Sequence, residues 1–105
     1  MASKKLDALL ATLESKKAVK VAVIHSAYED APCTVALIDL PEGTSDAEAC
    51  EKAFMMTNTI ESAWYTSKEL TYIGPEKSCR STSVGDMVLV GKNKYECKSL
   101  GWEKV

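Results

Sequence analysis

The side chains best suited to nucleophilic or metal chemistry are one histidine, His25, and four cysteines. The cysteines are Cys33, Cys50, Cys79 and Cys97. No two of them have the C-x-x-C spacing of a redox or zinc motif, and nothing in the sequence places a nucleophile beside His25. We therefore predict no catalytic residue, no metal and no cofactor, with four reduced thiols acting as small hydrophobic side chains.

The only arginine, Arg80, lies in the loop Ser78–Ser83, which is rich in hydroxyl groups and follows Lys77. A guanidinium group with neighbouring hydroxyls can contact an anion, although the glycine-rich phosphate-binding motifs are absent. We predict that Arg80, Ser81 and Ser83 form a partner- or anion-binding site. The alternative is a polar loop whose serines satisfy the local backbone and cap the next strand.

Trp64 and Tyr65 are adjacent aromatic residues within a polar stretch. Aromatic and arginine side chains are the usual anchors of protein interfaces, so these two residues join Arg80 in the candidate partner-binding surface. Core packing is the alternative for Trp64. Met55 and Met56 can add to a contact surface, because one of two adjacent helical residues must point away from the core.

Length and composition indicate one small domain over residues 1–105, with 46% hydrophobic and 27% charged residues. The net charge of −2, with almost all positive charge on lysine, argues against a dedicated nucleic-acid binder. No apolar run is long enough for a signal peptide or a membrane span, since Asp7 interrupts the first candidate. We expect a cytoplasmic protein.

The first half of the chain predicts two helices and two strands. Residues 3–16 have an amphipathic helical pattern, and Val19–His25 and Cys33–Leu40 have strand patterns joined by too short a connection for a crossover helix. The two strands should pair in antiparallel fashion. A capping box begins a second helix at Ser45, which should end near Asn58. Its predicted inward residues are Ala47, Cys50, Ala53, Phe54 and Thr57.

The second half predicts a short strand at Leu70–Ile73 and a β-hairpin. The hairpin has strands Asp86–Val90 and Lys94–Lys98 around the turn 91–93, and Trp102–Val105 can add a last strand. Residues 60–70 favour no single element. The expected fold is α+β: an antiparallel sheet of about 4–6 strands packed against one or two helices and ending in a C-terminal hairpin.

Two stretches resemble small accessory proteins encoded by bacteriophages. One is Glu51–Trp64, a helical pattern followed by Thr-Asn-x-Ile and a tryptophan. The other is Cys79–Val90, continuing to Tyr95-Glu96-Cys97 and Gly101-Trp102-Glu103, which is similar to an R-S-x-S-x-G-D-x-V…G-W ending. This family has no established activity, catalytic residue or cofactor. The resemblance implies an accessory protein in an infected bacterial cytoplasm.

These observations favour a protein that binds and modulates a host or phage protein and has no chemistry of its own. Self-association and nucleic-acid binding remain open as well. A nucleic-acid-binding module would use Arg80 with the lysines of the hairpin and the loop before it, Lys77, Lys92, Lys94 and Lys98. A third hypothesis is a small nucleotide-binding or enzymatic domain with a pocket near His25 or the Arg80 loop.

Overall fold

The computed structural model describes residues 18–59 and 63–105. Its central feature is a six-stranded antiparallel sheet with the strand order β3-β2-β1-β4-β5-β6. The strands are β1 (Val19–His25), β2 (Cys33–Leu40), β3 (Thr71–Tyr72), β4 (Met87–Val90), β5 (Asn93–Cys97) and β6 (Trp102–Lys104). With the helix described below, this arrangement confirms the predicted α+β class.

Strands β1 and β2 have the predicted bounds and pair in antiparallel fashion, from Val19 opposite Leu40 to His25 opposite Cys33. The register shifts between Val23 and Ile24. A bulge of this kind bends the strand locally. The extra residue is Val35 in β2, where Val35 and Ala36 are both buried, while β1 alternates without interruption and so directs His25 into the core.

Helix α1 (Asp46–Thr57) packs across β1 and β4 on one face of the sheet. The predicted cap is confirmed, since the Ser45 hydroxyl accepts a hydrogen bond from the Glu48 amide at 3.2 Å. The predicted inward face is wrong at one position, because Ala47 is exposed and Ala49 is buried. The residues of α1 that are buried are Ala49, Cys50, Ala53 and Thr57.

The predicted hairpin is formed by β4 and β5, and β6 continues it as a second hairpin. The tight connection of the first hairpin is Gly91–Lys92, and Gly91 has a φ of +58°. Glycine adopts this conformation without steric cost. Cys97 is buried as expected, and the Tyr95 hydroxyl donates a hydrogen bond to Asp46 at the start of α1. The hairpin is thereby tied to the helix.

The region that the sequence left unassigned contains a 3₁₀ turn at Trp64–Thr66, next to β3 and α1. The Trp64 ring is 3% exposed and joins the hydrophobic core. The predicted helix over residues 3–16 lies outside the described residues. In the part of the chain that the structure describes, no helix has the length and apolar character needed to cross a bilayer.

Candidate functional site

Arg80 lies between Glu29, in the loop after β1, and Asp86, which directly precedes β4. Its Nε and Nη2 donate to the two Glu29 carboxylate oxygens at 3.1 and 2.7 Å. Its Nη1 and Nη2 donate to the two Asp86 oxygens at 2.7 and 2.8 Å. The second Nη1 hydrogen reaches the Ser81 carbonyl oxygen at 3.0 Å. A guanidinium has five N–H groups, so the chain itself uses all five.

Asp86 is completely buried and is the centre of this network. Besides Arg80, its carboxylate accepts hydrogen bonds from the backbone amides of Ser26 and Ala27 at 2.9 Å and of Ser83 at 2.7 Å. These bonds favour the ionised form and hold the pKa of Asp86 at about 2, against the effect of burial. The Asp86 carboxylate thus joins the loop after β1 to the start of β4.

Arg80, for which we predicted a partner- or anion-binding role, lies in an internal ion-pair network, and that role stays a prediction. Arg80 has no donor left for an external anion, and two carboxylates already outweigh its single charge. Ser81 and Ser83 contribute backbone atoms to the same network. Of the hairpin lysines, Lys92 lies at the opposite end of β4 from Arg80, and Lys98 pairs with Glu96 and Glu103.

Trp64 cannot act as an exposed interface anchor, because its ring is buried and its Nε1 donates to the Arg80 carbonyl oxygen at 3.0 Å. The alternative of core packing is the one that the structure shows. Tyr65 is half-buried, with its ring 5.9 Å from that of Trp64 and 5.7 Å from that of Tyr72. Of the two methionines, Met55 is the exposed one.

The structure brings together one pair that the sequence analysis missed, His25 and Cys79. The Cys79 Sγ lies 3.5 Å from the Nδ1 atom of His25, although the two residues are 54 positions apart. His25 is 1% exposed, and Cys79 is half-buried. No sequence motif spans such a separation, and the long loop before β4 that carries Cys79 has no periodic pattern.

Hydrogen-bond geometry fixes the tautomer of His25. Thr57 uses its only hydroxyl proton for the Ala53 carbonyl oxygen at 2.7 Å, so Thr82, at 2.7 Å, must donate to Thr57. Thr82 therefore accepts from the His25 Nε2–H at 2.9 Å. In the neutral ring Nδ1 is then an acceptor, and the Cys79 thiol is the donor to it. Burial keeps the ring neutral by lowering its pKa below 6.5.

Cys79 and His25 line a cavity of about 260 Å³, which we call the thiol cavity. Its wall also includes Val35, Tyr72 and a second thiol, Cys33. Burial raises the pKa of the Cys79 thiol, so the resting pair is a thiol and a neutral imidazole rather than an ion pair.

Metal binding finds no support in residues 18–59 and 63–105, where no group of three or more His, Cys, Asp or Glu side chains could hold an ion. All four cysteines are free thiols. Cys50 and Cys97 are buried, and burial raises the pKa of both, to about 11 for Cys50. Their environment is that of inert core side chains.

The second candidate site is on the face of the sheet opposite α1. There Leu37, Ala22 and Leu89 lie side by side in register across β2, β1 and β4, and Ile24 pairs with Met87 in the next row. We call these five side chains the apolar strip. Leu37 is 44% exposed and the other four are half-buried. Beside the strip runs a groove of about 570 Å³.

Comparison of the chain with protein-family models, with curated proteins and with solved structures finds no match in any of the three.

Proposed function

We propose that this protein binds another protein through the apolar strip. The observation that carries the proposal is the contrast between the two faces of the sheet. One face is packed against α1, whereas the centre of the other presents five adjacent apolar side chains that no described element covers. A contiguous apolar surface with a polar border is typical of interaction sites.

The charges beside the strip favour a protein partner over a nucleic acid. Lys20 pairs with Asp39 at 2.9 Å at one end of the strip. The chain has a net charge of −2, and its only guanidinium is used internally. Nucleic-acid affinity depends on free cations that neutralise phosphates, and the Lys20 cation at this border is already paired.

The groove next to the strip suggests the form of the partner. It is bounded on one side by Leu37 and Leu89 and on the other by residues 68–71. A groove with an apolar floor and a charged border suits an amphipathic helix that lays its apolar face on the floor. We therefore assign the site to an amphipathic helix of a partner protein. The resemblance to phage accessory proteins makes a bacterial or phage protein in the cytoplasm the natural candidate.

The test is capture of proteins from a bacterial lysate by the tagged full chain and two variants. Leu37→Lys combined with Leu89→Lys places two charges in the strip, whereas Leu100→Lys makes the same change at a leucine that is 95% exposed and lies elsewhere. The proposal predicts a specific protein that the wild type and Leu100→Lys retain and that the double variant loses.

Capture that is equal for the double variant and the wild type would refute the proposal, as would the absence of any specific protein. A second copy of the chain is the rival occupant of the strip. Sedimentation would reveal it as a wild-type dimer that the double variant converts to a monomer. In that case the strip is a self-association surface and the proposed function is wrong.

A further inference from the structure

The thiol cavity contains a nucleophile next to a base, an arrangement that packing alone does not require. Four features meet there: a half-buried thiol, a buried imidazole 3.5 Å from it, a fixed tautomer that leaves Nδ1 free to accept a proton, and an adjoining cavity. A nucleophile, a base and a third group that orients the base define activated thiols and hydroxyls in general. Here the orienting group is the Thr82 hydroxyl.

We propose that Cys79, with His25 as its general base, is an acyl-accepting nucleophile for small neutral acyl donors. In this step Cys79 Sγ bonds to the carbonyl carbon of an ester while its proton moves to the His25 Nδ1. The bond between that carbon and the leaving oxygen then breaks, and the leaving oxygen takes the proton from Nδ1. The products are a thioester on Cys79 and a free alcohol, with His25 neutral again.

Burial disfavours a positive charge on His25, and two neighbouring groups partly offset this effect during the step. The Asp86 Oδ2 atom lies 3.9 Å from Nε2, and Thr82 accepts the Nε2–H bond. An ionised carboxylate near the far side of the ring stabilises an imidazolium as it forms. Asp86 and Thr82 are positioning residues in this account, because neither touches the reacting atoms.

The cavity restricts the acyl group by size and charge. A volume of about 260 Å³ admits only a small group, and Val35, Tyr72 and Pro75 give part of the wall an apolar character. Glu29, Glu76 and Arg80 also line the cavity, but the guanidinium of Arg80 is already occupied by Glu29 and Asp86, so no free cation is there to hold an anionic acyl group. A neutral acyl group such as acetyl fits both limits.

The experiment treats the full chain with p-nitrophenyl acetate and follows release of p-nitrophenol, with peptide mapping of the acetylated cysteine. We expect acetylation at Cys79 that Cys79→Ser abolishes. The variant His25→Gln should lower the rate by roughly 100-fold, the usual scale of general-base assistance. Cys50→Ala is the control, since it removes a buried thiol that lies outside the cavity and should leave the rate at Cys79 unchanged.

A pH profile of the wild type tests the base without a variant and covers the case in which His25→Gln does not fold. With neutral His25 as base, the rate of Cys79 acetylation should not change between about pH 7 and 8. The rate of an unassisted thiol rises about tenfold with each pH unit. The charged and titratable groups that face the pair are Asp86, Arg80, Glu29, Tyr72 and Cys33. The pKa values of Asp86 and Glu29 are lowered, and those of Arg80 and Tyr72 are raised. These four groups therefore titrate outside the interval between about pH 7 and 8.

Three results would each overturn the proposal. The first is acetylation at Cys33 or elsewhere in preference to Cys79. The second is an unchanged rate in folded His25→Gln. The third is a wild-type rate that rises in proportion to hydroxide concentration through neutral pH, since this is the behaviour of an unassisted thiol.

Discussion

At the scale of single residues, the contacts made in the stretch Arg80–Asp86 account for its polar residue types. Arg80 closes the two ion pairs, the buried Thr82 hydroxyl orients His25, and Asp86 collects five hydrogen bonds from side-chain and backbone donors. The hydroxyl-rich loop therefore contributes to the stability of the fold through these contacts.

Asp86 should dominate the acid sensitivity of the protein. Its pKa falls from an ordinary 3.8 to about 2 on folding. A lowered folded-state pKa gives stability that is complete above pH 3.8 and is lost as the pH falls toward 2, about 2 kcal/mol in all. Urea unfolding at a series of acidic pH values measures this loss.

The variant Asp86→Asn tests the assignment. It should lower the free energy of unfolding at neutral pH by roughly 3–5 kcal/mol, because Arg80 loses one of its two carboxylates in a buried network. As the pH is lowered toward 2, the free energy of unfolding of this variant should also fall less steeply than that of the wild type. Asp39→Asn, which breaks the exposed pair with Lys20, is the control and should cost less than about 1 kcal/mol. Equal costs for the two variants would contradict the buried network.

The contacts of these residues could not be predicted from the sequence, for a physical reason. Arg80 meets Glu29 across 51 positions, and Cys79 meets His25 across 54. Local patterns report which side chains share a face of one element, and they carry no information on which loops the sheet brings together. For the same reason the sequence could not show that Glu29 and Asp86 occupy the donors of Arg80.

At the scale of elements, the turn into β4 depends on Gly85. Its φ is +97°, its amide donates to the Cys97 carbonyl oxygen at 2.8 Å, and an added Cβ would lie 3.0 Å from the Ala27 Cβ. A left-handed conformation is costly for any residue with a side chain, and here the neighbouring loop also limits the space.

Gly85→Ala should therefore lower the free energy of unfolding by more than the backbone strain of about 1–2 kcal/mol. Gly43→Ala is the matched control, because Gly43 has a similar φ of +90° with nothing within 4 Å of an added Cβ. The free energy of unfolding of Gly43→Ala should fall by the backbone strain alone. If denaturant unfolding gives the same loss for both glycines, the close approach to Ala27 contributes nothing.

The elements with a regular pattern were predictable. The strand patterns correctly predicted the first and last residues of β1 and β2, and the capping box correctly predicted the start of α1. The error at Ala47 arose because Ala47 and Ala49 are the same residue type, so residue type alone does not show which of them faces β1 and β4. Residues 60–70 lack a period, and there Trp64 is buried by tertiary packing.

At the scale of the whole molecule, the two candidate sites are separate. The thiol cavity opens near the β1–β2 connection and the loop before β4, and the apolar strip occupies the opposite face of the sheet from α1. They share no lining side chain, so a variant of one leaves the other as an internal control. The proposed partner binding and the proposed acyl acceptance can thus succeed or fail independently.

The most direct test of the central claim, that the strip binds a partner protein, is site-specific photo-cross-linking in bacterial cells. Position 37 would carry p-benzoyl-phenylalanine in the strip, and position 100 would carry it at a more exposed site outside the strip. The account predicts a discrete adduct with another protein from position 37 and none from position 100. Adducts only with the chain itself, or the same adducts from both positions, would contradict it.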